Sequence, residues 1–163
     1  MTVLGGSPCF ADGMPLDGDG GGACVVVGFN ASVPSGGQAI PSGVETTVNW
    51  SSKANEVPAG FMNLATETAT IPFDGRYVVN TGVELVTAAA GSVYLRLYVS
   101  GAYAGGNSGY AGLATTITPS FGYTKFFTAG QTVQVRVFQN TGFAVSLIGC
   151  CAQSFLNISG WCL

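Results

Sequence analysis

From Cys24 to the C-terminus the hydrophobic positions fall in short runs at a spacing of two, broken by Gly, Pro and Asn. No stretch keeps a helical period over about 10 to 12 residues. The alternation is cleanest in two places. In Gln131 to Gln139, Val133, Val135 and Val137 face one way and Thr132, Gln134, Arg136 and Phe138 the other. In Ser92 to Ser100, Val93, Leu95, Leu97 and Val99 oppose Tyr94, Arg96 and Tyr98. Further strands are expected over Cys24 to Ala31, Val44 to Trp50, Phe61 to Leu64, Thr68 to Ile71, Gly75 to Thr87, Leu113 to Phe127, Ala144 to Ile148 and Ser154 to Trp161. About ten one-faced strands predict an all-β, two-sheet antiparallel sandwich. Its corners are expected at Pro58 to Gly60, Phe73 to Gly75, Ala89 to Gly91, Thr128 to Gly130 and Asn140 to Gly142.

One segment breaks the pattern. Gly101 to Gly112 holds Tyr103 and Tyr110 among five glycines, which reads as an exposed loop rather than a central strand. Tyrosine among Gly, Ser and Asn is the chemistry of an adaptable recognition surface. Tyr103, Asn107 and Tyr110 are therefore its candidate contact residues, and a purely structural loop is the alternative.

Composition narrows the functions. The 163 residues suit one domain, and the chain has no histidine. It cannot hold a Ser-His-Asp or Cys-His pair or the usual His-containing metal sites, so no catalytic, cofactor or metal residue is assigned. The five basic residues, Lys53, Arg76, Arg96, Lys125 and Arg136, stand singly and form no stripe for nucleic acid. No apolar run approaches the roughly 18 residues of a membrane span, and the first residues lack the pattern of a secretion signal. Only 8% of residues are charged against 47% hydrophobic, which is easier to understand if identical subunits cover part of the surface. A monomer coated in Ser, Thr, Asn, Gln and Gly is the alternative. The cysteines (Cys9, Cys24, Cys150, Cys151 and Cys162) make no metal motif and read as small apolar fillers, with a bridge through Cys9 or Cys162 as the other possibility.

Residues 1–23 differ from the rest. They carry Asp12, Asp17 and Asp19, seven glycines and no base, whereas residues 24–163 balance five acids with five bases. Such a stretch cannot bury enough apolar surface to fold alone, so it is expected to be a flexible arm or tether to the domain at 24–163. Asp17 and Asp19 lack the later ligands of a calcium loop.

Four segments, in order, resemble the C1q/TNF-like jelly-roll superfamily. Val27 to Ser32 followed by Ile40-Pro41 is similar to its opening strands. Ala69 to Val79 holds Pro72, Gly75 and Tyr77 at the spacing of its Phe-Thr-x-Pro-x-x-Gly-x-Tyr-x-Phe signature. Phe127 to Val135 resembles a late Gly-Asp turn with Gln131 in place of Asp, and Ser154 to Leu163 resembles the closing strand. The resemblance implies a jelly roll of about ten strands assembled as a homotrimer through its inner sheet. Phe29, Tyr77, Tyr123, Phe155 and Trp161 are its candidate interface residues, with ordinary core as the alternative for each. In Ser154 to Trp161, Phe155 and Trp161 share a face with Asn157 and Ser159, while Leu156 and Ile158 share the other.

The resulting expectation is a non-enzymatic trimeric knob, held by residues 1–23 on a virion or stalk and able to meet a host-surface glycan or protein. A cell- or spore-surface adhesion or signalling ligand of C1q-like type, extracellular or surface-bound, is the alternative. A carboxylate-pair enzyme would have to draw on Glu45, Glu56, Glu67, Asp74 and Glu84, whose spacing points no two at each other.

Overall fold

β-Branched and aromatic residues pack well on a pleated surface, and the computed structural model, which describes residues 26–149 and 154–162, is built of strands and turns. The first are β1 (Val26–Ser32), β2 (Gln38–Ile40), β3 (Thr46–Thr47), β4 (Ser52–Val57) and β5 (Met62–Asn63). Next come β6 (Thr68–Thr70), β7 (Gly75–Gly82), β8 (Glu84–Thr87), β9 (Gly91–Val99) and β10 (Ala102–Ala111). The last are β11 (Thr115–Ile117), β12 (Ser120–Phe127), β13 (Thr132–Gln139), β14 (Val145–Ile148) and β15 (Phe155–Cys162). A five-stranded sheet in the order β12-β7-β15-β1-β4 and a six-stranded sheet in the order β10-β9-β13-β6-β5, with β3 also on β13, enclose one core. A four-stranded sheet, β11-β8-β14-β2, carries β7 and β12 onward past Val83 and Pro119. Every pairing is antiparallel.

The core is the inward half of each alternation. Val93, Leu95, Leu97 and Val99 of β9 and Val133, Val135 and Val137 of β13 meet Val27, Phe29 and Ala31 of β1, Tyr77 and Val79 of β7, and Leu156 and Ile158 of β15. Each of the larger side chains contributes about 1.5 to 3 kcal/mol by burial. Phe29, Phe61, Tyr77 and Phe127 run through this core edge to face, at centroid spacings of 5.0, 6.2 and 5.8 Å. The Tyr77 hydroxyl donates to the Phe73 carbonyl at 3.0 Å, so its polar end is satisfied.

The structure departs from the sequence reading at several points. Among the described residues fifteen strand segments replace the expected ten. Gly75 to Thr87 bends at the buried Val83 into β7 and β8, and Leu113 to Phe127 is broken at Pro119, which has no N–H for a ladder. β2 is too short to show a period. β4 is a polar edge strand whose six residues show no apolar alternation.

The largest correction concerns Gly101 to Gly112, which is not a loop: it contains β10, paired with β9 from Ala102 to Ala111 with a register shift between Tyr103 and Gly105. Ser100 and Gly101 both have positive φ, 48° and 80°, the two-residue turn that matches the twist of a tight hairpin. The glycines that follow serve close approach rather than mobility. A Cβ on Gly109 would lie 2.5 Å from Ile117 Cδ1, and one on Gly106 would run into the Leu95 carbonyl oxygen.

The proposed arm at 1–23 and Cys9, Cys24, Cys150 and Cys151 lie outside the described residues, as does the side chain of Cys162.

Gly160 stands opposite Tyr77 across β15 and β7, and a Cβ there would run into the Tyr77 ring. Because that ring is wedged between Phe61 and Phe127, it has no empty space to take up. The G160A variant is expected to lose about 1 to 3 kcal/mol of stability in urea titrations. An unchanged midpoint would show that the ring yields freely.

Candidate functional site

β9 and β13 pair with Tyr98 opposite Gln134, Arg96 opposite Arg136 and Tyr94 opposite Phe138. With the valines and leucines of both strands turned into the core, these six side chains share the outer face of the six-stranded sheet. Two like charges directly opposite each other destabilise a strand pair. Glu45, one residue before β3, resolves the conflict. Its Oε1 accepts from Arg96 Nη1 at 2.8 Å and its Oε2 from Arg136 Nη1 at 3.3 Å, while the Tyr98 hydroxyl lies 2.8 Å from each oxygen. Burial pushes the Glu45 carboxyl up, but the hydrogen bonds from Arg96, Tyr98 and Arg136 and the Arg96 charge together hold it below the usual glutamate range. The bond to Glu45 raises Arg96 against the opposing effect of burial, and burial followed by the Glu45 bond raises Tyr98.

Aromatic rings fix both guanidinium groups. The Arg96 Cζ lies 5.3 Å from the Tyr94 ring centre and 5.2 Å from that of Phe138, and the Arg136 Cζ lies 4.2 Å from Tyr98. Arg136 also donates through Nε to Gln134 Oε1 at 2.8 Å.

β10 completes the site on the other side of β9. Tyr103 stands opposite Tyr98, Gly106 opposite Arg96 and Ser108 opposite Tyr94. The Tyr103 ring is 61% exposed and meets Tyr98 edge to face at 6.1 Å. Because Gly106 puts no side chain over Arg96, the strands leave an open groove of about 600 Å³ lined by Tyr94, Arg96, Tyr98, Tyr103, Gly106 and Ser108, with Asn107 at its margin. Aromatic walls, hydroxyls and a guanidinium suit recognition of a polar ligand. Glu45 is held in place by three donors, Arg96, Tyr98 and Arg136, and so orders the two guanidinium groups around it.

Of the residues singled out in the sequence, Tyr103 and Asn107 come to this groove. Asn107 has a structural task as well: its amide donates to the Ser120 carbonyl at 2.7 Å, tying β10 to β12, and its Oδ1 accepts from the Ser108 N–H at 2.8 Å. Tyr110, 73% exposed, stands opposite Ser92 beyond the groove. The other acids are engaged elsewhere. Glu56 is with Lys53 and the Met62 N–H, Glu67 accepts from the Trp50 N–H, Asp74 accepts from the Ala129 N–H, and Glu84 lies in β8. Sequence reasoning did not find Glu45 or the arginine pair, because the three are 51 and 91 residues apart and meet only through sheet register.

The candidate interface residues divide. Phe29 and Tyr77 are 2% and 1% exposed and belong to the protomer's own core, and Tyr123 is half-buried against Phe127 at 6.3 Å. Phe155 and Trp161 stand on the outer face of the five-stranded sheet, as the alternation predicts. That face has a different chemistry from the groove side. Asn30, Asn157 and Asn80 lie in one cross-strand row and Gly28, Ser159 and Val78 in the next. The row Val26, Trp161, Arg76 and Phe126 closes one end; in the central strands β7, β15 and β1 Arg76 is the one charged residue, while Lys53 of β4 and Lys125 of β12 are exposed on the two edge strands.

No protein-family model matches the sequence, and a search of curated proteins finds no relative. Solved structures do match in fold. The structure of Eiger TNF from S. frugiperda superposes with a TM-score of 0.61 at 13% identity, covering 83% of this chain and 92% of that one. The globular domain of zebrafish complement 1qA protein superposes at 0.56 and 12% identity, covering 84% of this chain and 96% of that one. The fold is therefore a C1q/TNF-like antiparallel jelly roll.

Glu45 yields a test of the site. A carboxyl held below its ordinary range contributes stability that is present above its unfolded value, about 4.3, and is lost as pH falls through the folded value. E45Q is expected to lose about 1 to 2 kcal/mol in urea titrations at pH 7, leaving the arginines opposed with only a neutral neighbour. The difference from the parent should shrink below about pH 4.3. A constant difference down to acid would show that the carboxylate charge is not what stabilises the pair.

Proposed function

We propose that this chain is a non-enzymatic interaction module that forms a homotrimer through the outer face of its five-stranded sheet and presents the tyrosine and arginine groove outward. The observation that carries the reading is the chemistry of that sheet's central strands β7, β15 and β1, where outward rows of Asn, Ser, Gly and Val occur with Arg76 as the one charge. Depletion of charge with aromatic residues such as Trp161 and Phe155 is the composition of a surface that meets protein rather than water. Fold likeness to a TNF and to a complement globular domain supports the same class of function.

Residues 1–23, acidic and rich in glycine, act as the tether that joins the knob to a larger particle, with the virion surface as its location. The second reading, an extracellular or cell-surface ligand, is favoured by the names of the two structural neighbours.

Light scattering on the full chain at micromolar concentration is expected to give the mass of three copies. S159E places a charge at the middle of the proposed interface on an exposed side chain, so it should give a monomer with the parent's circular dichroism. A monomeric parent or a trimeric S159E overturns the proposed interface. Removing residues 1–23 should leave the assembly at three copies and abolish incorporation into the particle. Retained incorporation would place the attachment within the domain.

A further inference from the structure

Resting on the reading of the groove as the outward recognition surface, we infer that it takes a glycan unit bearing a carboxylate. The first argument is charge. Arg96 and Arg136 bring two positive charges to the sheet face and Glu45 one negative, so one positive charge remains uncompensated. Among the described residues Arg136 donates through both Nε and Nη1, whereas Arg96 donates to Glu45 through Nη1 and interacts with the neighbouring Tyr98 hydroxyl. The anion is assigned to the Nε and Nη2 edge of Arg96, because a guanidinium edge matches a carboxylate with two parallel hydrogen bonds. Tyr94 and Phe138 hold the guanidinium in place, so little freedom is lost on binding.

The second argument is shape. Next to this cation stands the exposed ring of Tyr103, and Gly106 keeps the floor between them free of side chains. A sugar ring offers an apolar C–H face to an aromatic ring and hydroxyls to Ser108 and the tyrosine oxygens. An acidic peptide is the competing occupant, but extended peptides commonly add to a free sheet edge. Among the described residues β10 has no ladder partner beyond β9, but the groove lies on the sheet face and not along that edge, so a peptide added to the edge would leave the groove unfilled. A phosphate ester, with its higher charge, finds a single surplus cation here.

The test follows amide signals of the full chain by NMR during titration with four probes: 3′-sialyllactose, its methyl ester, methyl β-glucuronide and methyl β-glucoside. Hexaglutamate is the peptide control. At least one acidic sugar should shift the amides of Tyr98, Tyr103 and Gly106 and bind at least tenfold more tightly than its neutral counterpart. Which acid binds distinguishes a sialate from a uronate. R96Q should weaken that binding at least tenfold while keeping the parent's circular dichroism and mass. Should R96Q fail to fold, Y103A, which alters an exposed ring, must weaken it at least threefold. Equal binding of acid and neutral sugar, no shift at the groove, hexaglutamate binding as tight as the sugar, or unaffected binding by the folded variant overturns the inference. Oligomer mass is read separately, so a failed interface and an empty groove give different results.

Discussion

A side chain on a strand can point to only two sides, and here one side is committed to the core along the length of the central strands. Val93, Leu95, Leu97 and Val99 in β9 and Val133, Val135 and Val137 in β13 leave no inward place for anything polar. Tyr94, Arg96, Tyr98, Gln134, Arg136 and Phe138 are outward by necessity, and register alone decides which of them meet. The same constraint acts in the other sheet, where burying Val27, Phe29, Leu156 and Ile158 turns Gly28, Asn30, Asn157 and Ser159 outward. A one-residue slip in either sheet would exchange core and surface, so the two faces are as strongly specified as the core itself.

That logic explains what the sequence makes legible. The sandwich, the strands carrying strict alternation, and the sharing of Leu156 and Ile158 against Phe155 and Trp161 all follow from period two and could be read directly. β10 could not, because its glycines look like flexibility in one dimension. In space they are positions where Ile117 and the backbone of β9 come too close for a side chain. The Ser100-Gly101 hairpin turn was the available signal, and the glycine-rich stretch after it hid the strand. Likewise Phe29 and Tyr77 look like any large aromatic until the Phe29, Phe61, Tyr77 and Phe127 stack shows that they fill the protomer's own interior. The groove was half legible: Tyr103 stood out by composition, while its cation and the acid that orders it come from distant strands.

The arrangement around Glu45 shows why the missing half belongs to register. Arg96 against Arg136 would be a poor strand pair, and either residue alone reads as an ordinary solvated base. One carboxylate with two oxygens satisfies both arginines, and the tyrosine hydroxyl between them removes its remaining freedom. Because the acid is outnumbered, the cluster is ordered but not neutral. An exposed ion pair contributes little to stability, yet this one holds the two guanidinium groups against the rings of Tyr94, Tyr98 and Phe138. Besides stabilising the opposed arginines, it preorganises a cationic aromatic surface.

The two faces also bear on each other. They are the outer surfaces of opposite sheets, so self-association through one leaves the other free. The groove is open rather than enclosed, and a site that buries only part of a small ligand binds it weakly. Three copies held together by the charge-poor sheet face would present three such grooves on one frame. Where the ligand is repeated on a surface, each engagement after the first becomes intramolecular and overall binding strengthens without any new contact. In the proposed trimer a shallow groove would be sufficient, because each copy adds one, and the low charge of the one sheet face and the arginine pair of the other would serve the same binding event.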